Sequence, residues 1–283
     1  MTFFHLPNSA LRKASPSLAL VPRGRPLPLR PAPLDVQRAL VFATDGAPRM
    51  GANPLEPLPL ERMAALHPHQ NHPLAGALTE ATRAILPALG PQDAVLTVNL
   101  ARRGASIFDF GAAAPTASHA NVAEVLRRAA DLATARGLRL GRLVVSWVQG
   151  QANRNAGLGV YQAALEQLFA DLAALHHAQT GQSDGLLMCL SQNTATSPGR
   201  RRCIGAEQWR AVQASGGRMV MAGPEYMLER TDGLHLTAMS AAYLGAIHGR
   251  AIAAVLRQRP VAPLHILRVT RQGTEVTVEF AGG

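Results

Sequence analysis

The stretch RLVVSWV, residues 142–148, is apolar, rich in β-branched side chains and unbroken by any turn residue. A strand with no polar face has to be covered on both sides, which a parallel sheet packed between helices provides. The flanking text supplies those helices. Upstream, Val122, Val125, Leu126, Ala129, Leu132 and Ala133 share one face, Asn121 and Glu124 have the spacing of a capping pair, and Gly137 reads as the stop. Downstream, Tyr161, Leu165, Leu168, Phe169, Leu172 and Leu175 line one side of a second helix.

The same alternation extends in both directions. ALVFAT (39–44), AVLTVNLA (94–101), GLLMCLSQ (185–192) and RMVMAG (218–223) read as further strands. PLAGALTEATRAILPAL carries Leu74, Leu78, Ala81, Ile85 and Leu89 at helical spacing, and EQWRAVQA is a short helix. Thr237 is placed to cap a last helix in which Met239, Tyr243, Ile247 and Ala251 share a face. This order predicts an α/β fold, a three-layer α/β/α sandwich with a parallel sheet. The final RVTRQGTEVTVEFAGG breaks the pattern and predicts a β-hairpin or the start of a truncated β domain. The expected organisation is an irregular Pro/Arg-rich leader at 1–35, the α/β domain at 36–258 and the β segment at 259–283. TFFHL and SLALV are the only strand-like pieces of the leader.

Composition excludes several functions. The net charge of +10 comes almost entirely from arginine, with Lys13 the single lysine, and aromatic residues are only 4%. A basic stripe interleaved with stacking aromatics is missing, so nucleic acid is not the expected partner, and Arg200-Arg201-Arg202 reads as a solvated loop. Cys189 and Cys203 make no disulfide framework, and Cys189 in LLMCL reads as a small core residue. No uninterrupted apolar stretch suggests a membrane span, and LALV is cut short by Pro22 and Arg23, unlike a signal peptide. The chain as written therefore reads as soluble, cytoplasmic or phage-associated. The histidine cluster HPHQNHP (His67, His69, His72) has no accompanying carboxylate or cysteine and reads as a loop rather than a metal site. His176 and His177 suit a helix C-terminus. Trp147 is expected in the core, and Trp209 fits either the core or a sugar platform.

In an open parallel sheet, functional groups gather where strands end and helices begin. Three polar loops fall there: ARRGAS (101–106), QGQANRN (149–155) and PEYMLERTDGLH (224–235). The last holds Asp232 three residues before His235, with Gly233 relieving the turn. A carboxylate on one ring nitrogen fixes the tautomer that lets an imidazole act as general base. The same residues also serve as a plain turn, with Asp232 favouring the following helix N-terminus. No G-x-S-x-G elbow is present, which argues against an α/β-hydrolase nucleophile.

Taken together, VVSWVQGQANRN, the Gly104 loop and AGPEYMLERTDGLHLTAMSAAYLG resemble the SGNH (GDSL-like) hydrolases, in particular sialate O-acetylesterase-like carbohydrate esterases of the phage and prophage type. The resemblance runs from about residue 38 to 256. It implies a parallel sheet between helices, an acetylated carbohydrate as substrate and no metal or organic cofactor. His235 would be the base and Asp232 its orienting acid. Gly104 would offer a backbone N–H to the oxyanion, and Gln149, with Asn153 behind it, an amide lining the same hole. Where the family text approaches Q-G-E-x-D, this chain has Gln149-Gly150-Gln151-Ala152-Asn153, with amides replacing both acids. The family serine sits in a G-D-S or G-Q-S turn after the first strand. The spacing of SPSLALVPRGRPLPL points to Ser17, although Ser15 and Pro16 stand where glycine and glutamine belong. Ser9 is the weaker candidate, and both serines fit equally a proline-rich leader. The shift to orderly text near residue 35 raises the expectation that residues 1–22 are not the ancestral start. The competing expectation is a relative with an intact sheet and an impaired nucleophile, acting as a glycan-binding or phage structural module. Oligomeric state is not legible.

Overall fold

The computed structural model describes residues 39–45, 81, 84–89, 95–101, 104–135, 139–194, 204–232, 235–261 and 263–281. Ser9, Ser17, His67, His69, His72, Arg102, Arg103, Arg200–Arg202, Cys203 and the stretches TFFHL and SLALV lie outside them. The chain divides into two compact units, Asp35–Val261 and a second made of Met1–Leu34 with Ala262–Gly283.

In the larger unit, β1 (Ala39–Asp45), β2 (Val95–Asn99), β3 (Arg142–Val148), β4 (Leu186–Gln192) and β5 (Met219–Pro224) form one sheet in the order β2-β1-β3-β4-β5, and every pair is parallel. Helices α1 (Ser118–Thr134), α2 (Val160–Thr180), α3 (Ile204–Ala214) and α4 (Ala238–Leu256) connect the strands or follow the last one. Alternation along β3 explains the layers. Leu143, Val145 and Trp147 point to one core with Leu165, Leu168, Phe169, Met188 and Leu190, whereas Val144 points to a second with Ile85, Leu187, Cys189, Val220 and Ile252. With a core on each face, the fold is an α/β sandwich. The second unit, taken by itself, contributes an antiparallel pair, β6 (His265–Gln272) and β7 (Glu275–Ala281), turned at Gly273.

Local signals were read correctly where they repeat and misread where a distant contact decides. Helix α1 begins at Ser118, so Asn121 lies inside its first turn, and Glu124 pairs with Arg127 and Arg128 rather than capping. The capping box of this region is at Ser106 and Asp109 instead, opening the short 3-10 turn Ile107–Asp109. His176 is not a cation at a helix end. It is buried, burial holds its pKa below the ordinary value, and Nε2 donates to the Gly141 carbonyl at 2.8 Å. In α4 the buried face runs through Ala241, Leu244, His248 and Ile252, while Met239 is 79% exposed. Thr237 does cap this helix, accepting from Ser240 N at 3.2 Å. Among the described residues, α4 has the length and mean hydropathy (1.3) to cross a membrane, contrary to the sequence expectation, but half of that window is buried inside the protein. Trp147 is a core residue at 1% exposure, and Trp209 packs against the same core half-buried.

Two positions in α4 are tightly constrained. A Cβ on Gly249 would strike the Ala81 carbonyl oxygen and come within 2.7 Å of the Ala84 Cβ. Backbone cannot yield as a side chain end can, so Gly249→Ala is expected to destabilise by about 1–3 kcal/mol in urea unfolding. His248 is 1% exposed, with Nδ1 2.8 Å from Ser146 Oγ and Nε2 without a partner among the described residues. Burial pushes its pKa from 6.5 down to about 4. The folded ring stays neutral while the unfolded ring takes up a proton, so acid favours unfolding. This contribution is complete above pH 6.5 and is lost as the pH falls towards 4, by which point the loss amounts to about 3 kcal/mol. Urea midpoints measured across that window should fall more steeply for the native chain than for His248→Leu.

Candidate active site

Parallel strands deliver their carboxyl ends to one edge, and the three polar loops collect there with the loop after β4. They are tied to each other by buried hydrogen bonds rather than merely adjacent.

The first group of bonds is centred on Gln149. Gly150, which follows it, holds φ at +149° and leaves no room for a side chain, because a Cβ would lie 2.8 Å from Ile204 Cγ2. That tight passage turns the chain into the 3-10 turn Gln151–Asn153. The Gln149 amide nitrogen donates to the Ala105 carbonyl (3.0 Å) and to Asn153 Oδ1 (2.6 Å). Its Oε1 accepts from the Tyr161 hydroxyl at 2.9 Å, which in turn accepts from Trp147 Nε1 at 3.1 Å. Asn153 Oδ1 also accepts from Ile107 N (3.0 Å), and Asn153 Nδ2 donates to Ser106 Oγ (2.8 Å). Gln149 and Asn153 are thereby joined to the loop of Gly104, whose φ is +72° and which is exposed.

Both hydrogens of the Gln149 amide are spent on Ala105 and Asn153, and the side chain is 8% exposed. In this arrangement it is a strut that fixes Asn153 against the Ser106 turn. Asn153 uses one amide hydrogen on Ser106, and a carboxamide has two.

The second group is the turn that holds Asp232 and His235. Arg230 and Leu236 pair as an isolated antiparallel bridge, Thr231 N donates to the His235 carbonyl (2.8 Å), and Thr237 N to the Glu229 carbonyl (3.1 Å). Inside this closed turn, Asp232 Oδ1 accepts from His235 N at 2.7 Å and Oδ2 faces Nδ1 at 2.6 Å. A carboxylate only accepts, so Nδ1 carries the proton of this bond. Asp232 does not serve the helix after it, which Thr237 caps. The side chains are 54% and 39% exposed, and exposed ion pairs contribute only about 0–1 kcal/mol. Fold stability therefore does not account for the arrangement.

The two groups are linked by residues that no local pattern announced. Glu225, fully buried just beyond β5, accepts from Ser191 Oγ (2.7 Å), Gln151 Nε2 (3.2 Å) and Arg230 Nη2 (3.1 Å). Burial pushes its carboxyl above the ordinary range, while Ser191 and Arg230 draw it back. Arg230 also donates to Thr194 Oγ1 at 3.3 Å. Glu207, likewise buried, accepts from Gly159 N (3.1 Å) and Gln162 N (3.0 Å) and so closes the N-terminus of α2 beside the same loop. Among the described residues, no group of three or more His, Cys, Asp or Glu side chains is arranged to hold a metal.

In fold the chain is similar to a carbohydrate acetylesterase from Xanthomonas citri, with a TM-score of 0.51 at 11% identity over 86% of this chain and 62% of that one. A carbohydrate acetylesterase from Sinorhizobium meliloti also matches, with a TM-score of 0.43 at 14% identity over 77% of this chain and 99% of that one. The chain thus spans about three fifths of the length of the first structure. No protein-family model matches the chain, and no curated protein does. The likeness to the Xanthomonas structure shows the fold, a parallel α/β sandwich.

The strut assignment has a direct consequence. Gln149→Leu would remove the buried donor of the Ala105 carbonyl, a loss of about 1–3 kcal/mol, while the Tyr161 hydroxyl keeps the residue-149 carbonyl and Asn153 Oδ1 keeps Ile107 N. A clear drop in the urea midpoint is expected. An unchanged midpoint would return Gln149 to the donor role.

Proposed function

We propose that this chain is a serine esterase of the SGNH type, removing O-acetyl groups from a carbohydrate such as a sialate or another acetylated glycan. The observation that carries the reading is the 2.6 Å contact of Asp232 Oδ2 with His235 Nδ1 in a half-exposed turn at the carboxyl edge of a parallel sheet. A fold of the carbohydrate-acetylesterase kind supports it.

The chemistry follows from those groups. A serine hydroxyl, which the sequence expectation assigns to Ser17, would attack the acetyl carbonyl carbon as its proton passes to His235 Nε2, and Asp232 would stabilise the imidazolium that results. The carbonyl π pair moves onto oxygen, where the Gly104 N–H and the second Asn153 amide hydrogen would meet the developing charge. Gln149 keeps Asn153 in place for that contact. His235 returns the proton to the departing sugar oxygen, and water repeats the sequence on the acetyl-serine to release acetate. Nothing in these steps calls for a metal or an organic cofactor.

Purified protein is to be incubated with p-nitrophenyl acetate and with an O-acetylated glycan, beside His235→Ala, Ser17→Ala and Asn153→Ala. Removing a general base typically lowers the rate by about 10²–10⁴, and removing an oxyanion donor by about 10²–10³. Loss with His235 and Ser17 alike is the expected result. Loss with His235 alone would move the nucleophile to another hydroxyl. A native protein that binds the glycan without cleaving either ester would favour the impaired binding module.

A further inference from the structure

Glu225 is an expensive residue for the fold to keep. A carboxylate with no exposure loses its hydration, and an apolar side chain of similar volume commonly gives equal or greater stability. What Glu225 provides is connection. Its Oε1 takes the Ser191 hydroxyl from the end of β4, where the ladder with β5 shifts register between Leu190 and Ser191. Its Oε2 takes Gln151 from the loop after β3 and Arg230 from the turn after β5. Arg230 bridges Leu236 across that turn, so the position of its guanidinium sets the position of the strand segment bearing His235. Gln151 lies two residues from Asn153 in the same 3-10 turn. One carboxylate therefore holds the Asp232–His235 turn and the Asn153 turn to a common point.

The geometry points to Glu225 as a positioning residue, which clamps Gln151 and Arg230 so that the Asp232–His235 pair and Asn153 keep a fixed mutual placement. Its bearing on catalysis rests on the esterase reading above, but the clamp itself does not. A misplacement of about 1 Å can cost roughly hundredfold in rate, so the clamp need not touch substrate to matter.

The test uses the full chain with Glu225→Gln, Arg230→Gln and the double variant. Glu225→Gln keeps the shape and presents an amide nitrogen to two donors. Arg230→Gln breaks the clamp from its partly exposed side (15%) and guards against a buried variant that does not fold. Hydrogen exchange by mass spectrometry is read over residues 229–237 and 149–153, with α1 and α2 as internal references. Both variants are expected to exchange about tenfold faster in those two segments and unchanged in the references. With p-nitrophenyl acetate, kcat is expected to fall ten- to hundredfold with KM within about twofold, and the double variant to be no worse than the weaker single one. Unchanged exchange at 229–237 in the folded variants would overturn the clamp, as would a rise spread evenly over the domain. A native chain without esterase activity would sink the functional reading alone, because the exchange result still decides the clamp.

Discussion

Because the central strands of the parallel sheet are apolar on both faces, polar side chains gather where the strands stop. Leu143 to Trp147 and Leu186 to Leu190 are all buried. A hydroxyl or carboxylate left unbonded there would cost several kcal/mol. At the carboxyl edge, by contrast, the chain leaves each strand through a polar loop, and these loops become neighbours whatever their separation in sequence. Gln149 reaches Ala105 across 44 residues, and Gln151 reaches Glu225 across 74. The site is a consequence of strand direction before it is a matter of any single residue.

Within that edge the amides at positions 149, 151 and 153 have a physical logic. A glutamate at position 151 would face Glu225, whose Oε2 lies 3.2 Å from Gln151 Nε2, and two carboxylates at that separation repel. Glutamine turns the same contact into a donated hydrogen bond. The carboxylate that the loop after β3 lacks stands instead beyond β5, where it can pair with Arg230 as well. Asn153 is similar in effect: its carbonyl oxygen gathers Gln149 and Ile107 N, as an aspartate could, while its amide adds a donor for Ser106. Gln149, Gln151 and Asn153 thus form a consistent hydrogen-bonded set.

The sequence disclosed whatever depends on near neighbours. Periodicity fixed the strands at 142–148 and 186–192 and the apolar face of α2, and the three-residue spacing of Asp232 and His235 was enough to bring their side chains together. It misled where a partner comes from far away. Asn121 and Glu124 match a capping pair, but Ser118 had already begun the helix. His176 looks like a helix-end cation, yet the Gly141 carbonyl 35 residues upstream draws it into the interior. Glu225 carries no local signal, because Ser191, Gln151 and Arg230 meet it only after the sheet forms. Gln149 was legible as important and illegible in role, since its partners Ala105 and Tyr161 belong to other elements.

Three carboxylates at this edge show how environment divides labour among like groups. Glu207 is closed inside the protein with two backbone N–H donors at the start of α2, which makes it a cap. Glu225 is closed inside with donors from three different segments, which makes it a joint. Asp232 is the more-than-half-exposed one of the three, and each of its oxygens contacts His235. Two bonds to one residue fix both the backbone and the ring plane of that histidine, a precision that an exposed turn does not need in order to fold. Bonds of that kind, made at a solvent-accessible edge, separate Asp232 from the two acids behind it.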